Sequence, residues 1–253
     1  KEVIGEDLKL EDGTTLRSIV EDGSYTDWLD YILDNSVTQN YELSVNGGNQ
    51  KTNFNVGLSL MDDRGLMKND QMKRYTGRAN IDHEINKYFK IGTSMSFAYK
   101  DNDKRNSGVF NQALKMTTIT HAYLNDGTIN KTPSRFYEQH SSPLLDDVDG
   151  AFQRSIESTR FFGGAYLQVT PIKNLILKSN FNIDMNYSRD GMYQDYESQA
   201  RLQNPTTNLI TNTKYTTNKY VWQNTANYNF TLADIHDFGI LFGHEMSKSV
   251  YEY

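Results

Sequence analysis

Residues 41–65, YELSVNGGNQKTNFNVGLSLMDDRG, alternate apolar and polar side chains, break at a glycine pair and alternate again. From Phe54 the apolar set is Phe54, Val56, Leu58 and Leu60, separated by Asn55, Gly57 and Ser59. Such alternation turns successive side chains to opposite faces, so both arms are predicted strands joined by a tight turn. The pattern continues to the end of the chain, giving predicted strands over 39–46, 52–61, 73–84, 89–100, 158–170, 175–188, 215–231 and 237–250. In 175–188, Leu175, Leu177, Phe181, Ile183, Met185 and Tyr187 oppose Lys178, Asn180, Asn182, Asp184 and Asn186. Residues 1–38 read differently, as an entering loop with a short helix over about 24–34. There Ser24 is placed as N-cap with Asp27 three residues on, and Trp28, Leu29, Ile32 and Leu33 recur at helical spacing.

What the apolar faces meet is decided by strand length and by the connections. Several runs keep register well beyond the roughly 5–6 residues usual in soluble domains, and a membrane strand needs roughly 9–11. The connections alternate: NGGNQ, INKY, PIKN and ADIH are short, whereas 62–72, 101–157 and 189–214 are long. Successive antiparallel strands reverse direction, so every short turn falls at one end of the sheet and every long loop at the other. Outer-membrane barrels have that asymmetry, with short periplasmic turns and longer external loops. Arg74, Arg78, Asp82, Lys90, Lys178 and Asp184 sit mid-pattern, where a water-filled or plugged lumen accommodates charge that lipid would not. The predicted fold is an all-β, antiparallel, up-and-down transmembrane barrel, with 101–157 and 189–214 as external loops. With the short turns periplasmic, the last strand runs outward, so the chain is expected to be an internal portion of a larger barrel.

Composition changes this picture little. Tyrosine (17) outnumbers phenylalanine (12), which suits a surface where rings are apolar at one end and wet at the other. Cysteine is absent, which excludes disulfides, thiol redox chemistry and Cys-ligated zinc. The net charge of −6 argues against nucleic acid as a partner. No apolar run is long enough for a transmembrane helix.

The chain offers no catalytic constellation and no cofactor motif. His83, His121, His140, His236 and His244 show no metal-ligand spacing, and His244 and Glu245 point to opposite faces of one strand. DNDKRNSG (101–108) starts like a calcium loop, but Arg105 replaces a ligand and Asn106 the turn glycine. Asp146, Asp147 and Asp149 form a denser oxygen cluster, read as a solvated acidic loop. Phe136, Tyr137, Tyr193 and Tyr196 fall in the predicted loops, where they could contact substrate or a partner, or pack the loops onto the rim.

The succession TDWLDYIL (26–33), QNYELSVNGGNQKTNFNVGLSLMDDRGLMKN (39–69), KRYTGRANID (73–82) and YFKIGTSMSF (88–97) resembles the SusC/RagA family of TonB-dependent outer-membrane transporters. TPIKNLILKSNF (170–181) and WQNTANYNFTLADIHDFGILFGHE (222–245) are similar to later hairpins of that family. The resemblance spans about residues 24–245 and fades over 101–157 and 189–214. It implies a barrel of the 22-strand class with a plugged lumen, of which this chain would be about eight strands. It also implies a Gram-negative, Bacteroidetes-like outer membrane, uptake of glycans or peptides, and a SusD-like surface lipoprotein as partner. TonB would be reached through an N-terminal segment outside this sequence. The alternatives are a soluble, secreted β-rich carbohydrate-binding module and a passive porin.

Overall fold

The computed structural model describes residues 9–10, 13–133, 140–202 and 207–253. It contains eight strands: β1 Val37–Gly48, β2 Thr52–Arg64, β3 Gln71–Asn86, β4 Phe89–Asp103, β5 Phe152–Val169, β6 Leu175–Gln194, β7 Leu209–Leu232 and β8 His236–Glu252. Each pairs antiparallel with the next, in the order β1 to β8, so the sheet is a continuous meander. Strand lengths run from 12 residues in β1 to 24 in β7, beyond the usual range of soluble domains. This is the sheet of an up-and-down β-barrel wall.

Local chemistry closes one end of the sheet. Asn49 Oδ1 accepts from the N–H groups of Lys51 and Thr52, both at 2.9 Å. Asn86 Oδ1 does the same for Tyr88 and Phe89, at 2.8 and 3.1 Å. Both are turns in which a side-chain carbonyl replaces a backbone acceptor. Between β7 and β8 the three-residue connection 233–235 turns on Ala233 and Asp234, both with φ of 56°, and the Ile235 N–H closes it on the Leu232 carbonyl at 3.3 Å.

One register holds across the sheet. Leu43, Leu58, Gly77, Phe97, Phe161 and Met185 are successive cross-strand partners, and so are Phe54, Ile81, Thr93, Ala165, Phe181 and Trp222. A slip of one residue in any strand would send its apolar set to the other face. In β4 this face runs from Phe89 to Tyr99, ten steps that span about 26 Å at ~3.4 Å per residue and ~40° tilt, close to the ≈ 25 Å apolar band of outer-membrane barrels. Tyr41, Tyr75, Tyr99 and Tyr187 close the band in one row. The next row outward is charged: Asp62, Lys73, Asp101, Glu157, Arg189 and Lys214. An aromatic girdle followed by charge is what a lipid–water boundary selects.

Among the described residues, three helices and a 3₁₀ turn lie outside the sheet: α1 Leu16–Asp22, α2 Trp28–Ile32, α3 Gly108–Lys115 and the turn Pro143–Asp147. The predicted helix over 24–34 shortens to α2, because the N-cap is Asp27 and not Ser24. The Asp27 carboxylate accepts from Leu29 N–H at 2.9 Å. At the other end Leu33 is extended and bridges to Met67, which stops the helix. Helices α1 and α3 were not predicted. The strands also outrun their sequence limits, so the connections at the opposite end from the short turns contract to 65–70, 104–151 and 195–208.

Candidate functional site

The polar face of the sheet is the lumenal one in a barrel, and two forked ion pairs bridge its strands. Arg160 donates to both oxygens of Asp184 at 2.9 and 2.7 Å, and Arg154 to both oxygens of Asp190 at 3.0 and 2.7 Å. Lys219 is the cross-strand partner of Asp184 on the other side. Lower on the same face, the Tyr166 ring lies across Gly92, where a Cβ would meet the ring, and its hydroxyl donates to Asp82. The Lys178 ammonium sits 4.1 Å from that ring's centroid. These forked and stacked contacts leave a fixed, hydrophilic wall.

The end of the sheet with the long connections carries a different construction, in which residues from four chain segments share a small core. Trp28, Ile32, Val109, Ala113, Met116, Ala122 and Leu144 are buried together. The Trp28 indole donates to the Thr117 carbonyl at 3.0 Å, and the Lys68 ammonium caps the end of α2 through the carbonyls of Asp30 and Tyr31. Arg105, nearly buried, donates to the Lys68 carbonyl at 3.2 Å and to Asp147 at 2.7 Å. Gln199 ties the 195–208 loop to the 104–151 loop. Its N–H donates to Asp146 at 2.8 Å, and its carbonyl accepts from the Ser141 hydroxyl at 2.7 Å. Beside this joint is a cleft of about 1230 Å³, lined by Leu124, Ile129, Val148, Leu202 and Tyr196 and by the Lys131–Glu197 ion pair.

The acidic cluster at 146–149 is only in part the solvated loop that its composition suggests: Asp147 and Asp149 are exposed, but Asp146 is not. Asp146 is buried and accepts from Asn106 and from the Gln199 N–H, while Asp147 is held by Arg105 and Asn69. Burial pushes the Asp146 carboxyl above its ordinary range, against the pull of those donors and of Arg105. Among the described residues no group of three or more His, Asp and Glu side chains is arranged to hold a metal. His83 engages Thr52 at 2.8 Å and His140 engages Gln112 at 3.2 Å.

Of the four aromatic residues singled out in the sequence, Phe136 and Tyr137 lie outside the described residues. Tyr193 stands in β6 and not in a loop, on the outward face beyond the charged row. Its hydroxyl donates to Asp195 at 3.2 Å and accepts from Asn208 at 2.9 Å, bracing both ends of the 195–208 loop. Tyr196 is in that loop, 45% exposed, on the cleft. The sequence reading missed Gln199, Asn106 and Ser141, which join the loops. Small polar residues in irregular segments carry no periodic signal.

No protein-family model matches the chain. In sequence it is 24% identical over 178 residues to TonB-dependent receptor P26 of Formosa agariphila, an alignment covering 70% of this chain and 18% of that protein. It is also 34% identical over 56 residues to TonB-dependent receptor SusC of Bacteroides thetaiotaomicron, covering 22% of this chain and 6% of SusC. In fold it matches the RagAB peptide transporter with a TM-score of 0.73 and 23% identity, over 90% of this chain and 27% of the solved one. The chain therefore corresponds to about a fifth of the P26 receptor and about a quarter of the matched RagAB chain. By sequence and fold together, it is a stretch of barrel wall similar to the SusC/RagA-like TonB-dependent transporters.

Proposed function

We propose that the chain forms wall strands and outer loops of a TonB-dependent outer-membrane importer of the SusC type. One observation carries this reading. Across eight strands a common register, shifted only at the Glu84/Asn86 end of the β3–β4 ladder, turns the apolar residues to one face and polar and charged residues to the other, with an aromatic and then a charged row closing the band. A soluble carbohydrate-binding module would bury the apolar face against a second layer. Among the described residues, no buried hydrophobic side chain stands on a strand.

In this proposal the cargo is a glycan or a peptide, and a SusD-like surface lipoprotein docks on the cap of outer loops. Phe136, Tyr137, Tyr193 and Tyr196 are the proposed contacts for cargo or lipoprotein, and the exposed Tyr196 on the cleft is the best placed of them. A rigid cap can present such rings at small entropic cost. The names of the SusC and RagAB relatives support the importer reading. The topology is tested by inserting an epitope at the exposed turn Asp126–Gly127 or at Lys173 in the PIKN turn. Surface detection on intact cells is expected for the first and only after permeabilisation for the second. The reverse pattern would invert the barrel.

A further inference from the structure

The lumenal face is not evenly neutralised. Each lumenal arginine of β5 is held by a carboxylate, Arg154 by Asp190 and Arg160 by Asp184. Lys90 lies opposite Glu84, Lys219 opposite Asp184, and the Lys178 ammonium over the Tyr166 ring. Arg74 and Arg78 on β3 and Lys100 on β4 are different. The register puts all three on this face, with Lys100 directly across from Arg74, and Arg78 about 14 Å along the strand at ~3.4 Å per residue. Among the described residues none of the three forms an ion pair, and their only side-chain hydrogen bond runs from Arg74 to the Met61 sulfur at 3.4 Å.

Folding does not ask for this arrangement. Like charges set directly across a ladder destabilise a sheet. The chain as a whole carries a net charge of −6, so a strip of bare cations is a local reversal. The carboxylates that face the same way stand apart or are occupied. Glu42 is on β1, two strands from Arg74 and Arg78, and Asp63 takes the Thr38 hydroxyl. The ground between the cations is small and hydroxylated. Thr76 separates Arg74 from Arg78 on this face, Ser59 lies opposite Thr76, and Ser96 lies opposite Arg78. The hydroxyls of Ser59, Thr76 and Ser96 have no hydrogen-bond partner among the described residues. Both arginines are exposed, so their guanidinium groups stand free above this ground.

We infer that this strip binds the anionic groups, uronate or sulfate, of an acidic glycan on its way through the lumen. The inference rests on the importer reading and narrows its cargo. A guanidinium presents a rigid fork of donors that matches a flat or tetrahedral oxyanion, and Lys100 adds a point charge beside Arg74. The free hydroxyls between the cations suit the hydroxyl groups of a sugar. An acidic peptide would bring apolar side chains as well, and a strip flanked by Ser59, Thr76 and Ser96 offers them no pocket. The strip also starts where cargo would arrive. Arg74 and Lys100 are the chain neighbours of Tyr75 and Tyr99 in the girdle, at the end of the wall that carries the cap.

The test uses the full-length transporter purified from outer membranes in detergent, with dextran sulfate and neutral dextran of equal length as probes and binding read by thermophoresis. The wild type is expected to bind dextran sulfate but not neutral dextran, and less tightly as salt is raised. Arg74→Gln, Arg78→Gln and Lys100→Gln together are expected to weaken that binding about tenfold or more. The matched triple Lys73→Gln, Arg189→Gln and Lys214→Gln takes the same charge from the outward face and is expected to keep wild-type affinity. No binding by the wild type, or equal losses in the two triples, would overturn the inference. Hexaglutamate held by the strip as tightly as dextran sulfate would replace the glycan with an acidic peptide. Without probe, the lumenal triple should melt no lower than the wild type, because it loses only repulsion. A lower midpoint would show that another part of the protein already pairs with the strip, and would overturn the inference too. Release of the protein from membranes without detergent would overturn the barrel reading itself, a separate outcome.

Discussion

The sheet and the cap of long loops solve opposite problems with the same chain. In the cap, apolar side chains turn inward: Trp28 and Ile32 are 2% and 0% exposed, and Val109 is 0%. In the sheet they turn outward, so Phe181 and Trp222 on adjacent strands are 47% and 45% exposed. Water surrounds the cap and drives a core to form, at roughly 25 cal/mol per Å² of apolar surface buried. Lipid surrounds the sheet, so nothing drives its apolar side chains inward, and stability rests on the backbone ladder. Burial alone would therefore misjudge the sheet as poorly packed, although every strand but the two edges is hydrogen-bonded on both sides.

The largest effect that separates the two regions is expected from Trp28→Ala. It removes a buried indole and its hydrogen bond to Thr117, and truncations of this kind cost about 3–5 kcal/mol. Hydrogen exchange should show the cap opening while β5–β7 stay protected. Loss of protection in the strands as well would mean that the two regions are one cooperative unit. Somewhat smaller is Phe181→Arg on the lipid face, expected to destabilise by about 2–4 kcal/mol near the midplane, measured by denaturant unfolding in lipid. On the lumenal face, Arg160→Ala breaks an ion pair whose partners are 56% and 26% exposed. Wetness there limits the loss to about 0.2–1 kcal/mol in the same assay, with Lys219 still beside Asp184.

The smallest expected effect is electrostatic and lies within the cap. Burial raises the Asp146 carboxyl, so this group binds its proton more readily folded than unfolded, and its contribution to cap stability improves as pH falls through the carboxylate range. Asp126 behaves oppositely. Hydrogen bonds from the Thr128 hydroxyl and N–H hold its carboxyl below the usual range, so its contribution is present above the unfolded value and is lost as pH falls through the folded one. Amide exchange, corrected for intrinsic rates, should show protection rising on acidification at a cap-core amide such as the Val109 N–H and falling at the Thr128 N–H, whose bond needs the Asp126 carboxylate. Parallel changes at both sites would contradict the assignment.

The same contrast explains what was legible in the sequence. Within the bilayer the two faces of a strand meet different surroundings, so Leu175 to Tyr187 could be read from alternation. Beyond the girdle both faces meet water and alternation fades, while the hydrogen-bond ladder continues through Arg189–Gln194 and Leu209–Lys214. That is why Tyr193, placed in a loop by its surroundings in sequence, stands in β6. The cap was illegible for a different reason. Its core joins residues 28, 109 and 144, and no short window contains the pattern. Helix α3 buries only Val109, Gln112 and Ala113 and leaves Phe110 and Leu114 exposed, so its apolar residues do not form one clean stripe. The joint at Gln199 consists of amide, hydroxyl and carboxylate contacts that only the folded loops bring together.

The most direct test of the two-faced wall is cysteine accessibility in native outer membranes. Single cysteines at Phe97, Phe181 and Trp222 belong to the outward register, and those at Arg78, Lys178 and Asp184 to the lumenal one. The lumenal set should react with a charged, membrane-impermeant thiol reagent once cells are permeabilised. The outward set should resist that reagent, and a fluorophore placed there should be quenched by a lipid-phase nitroxide. Equal aqueous labelling of both sets, with no lipid-phase quenching at Phe181, would contradict the account.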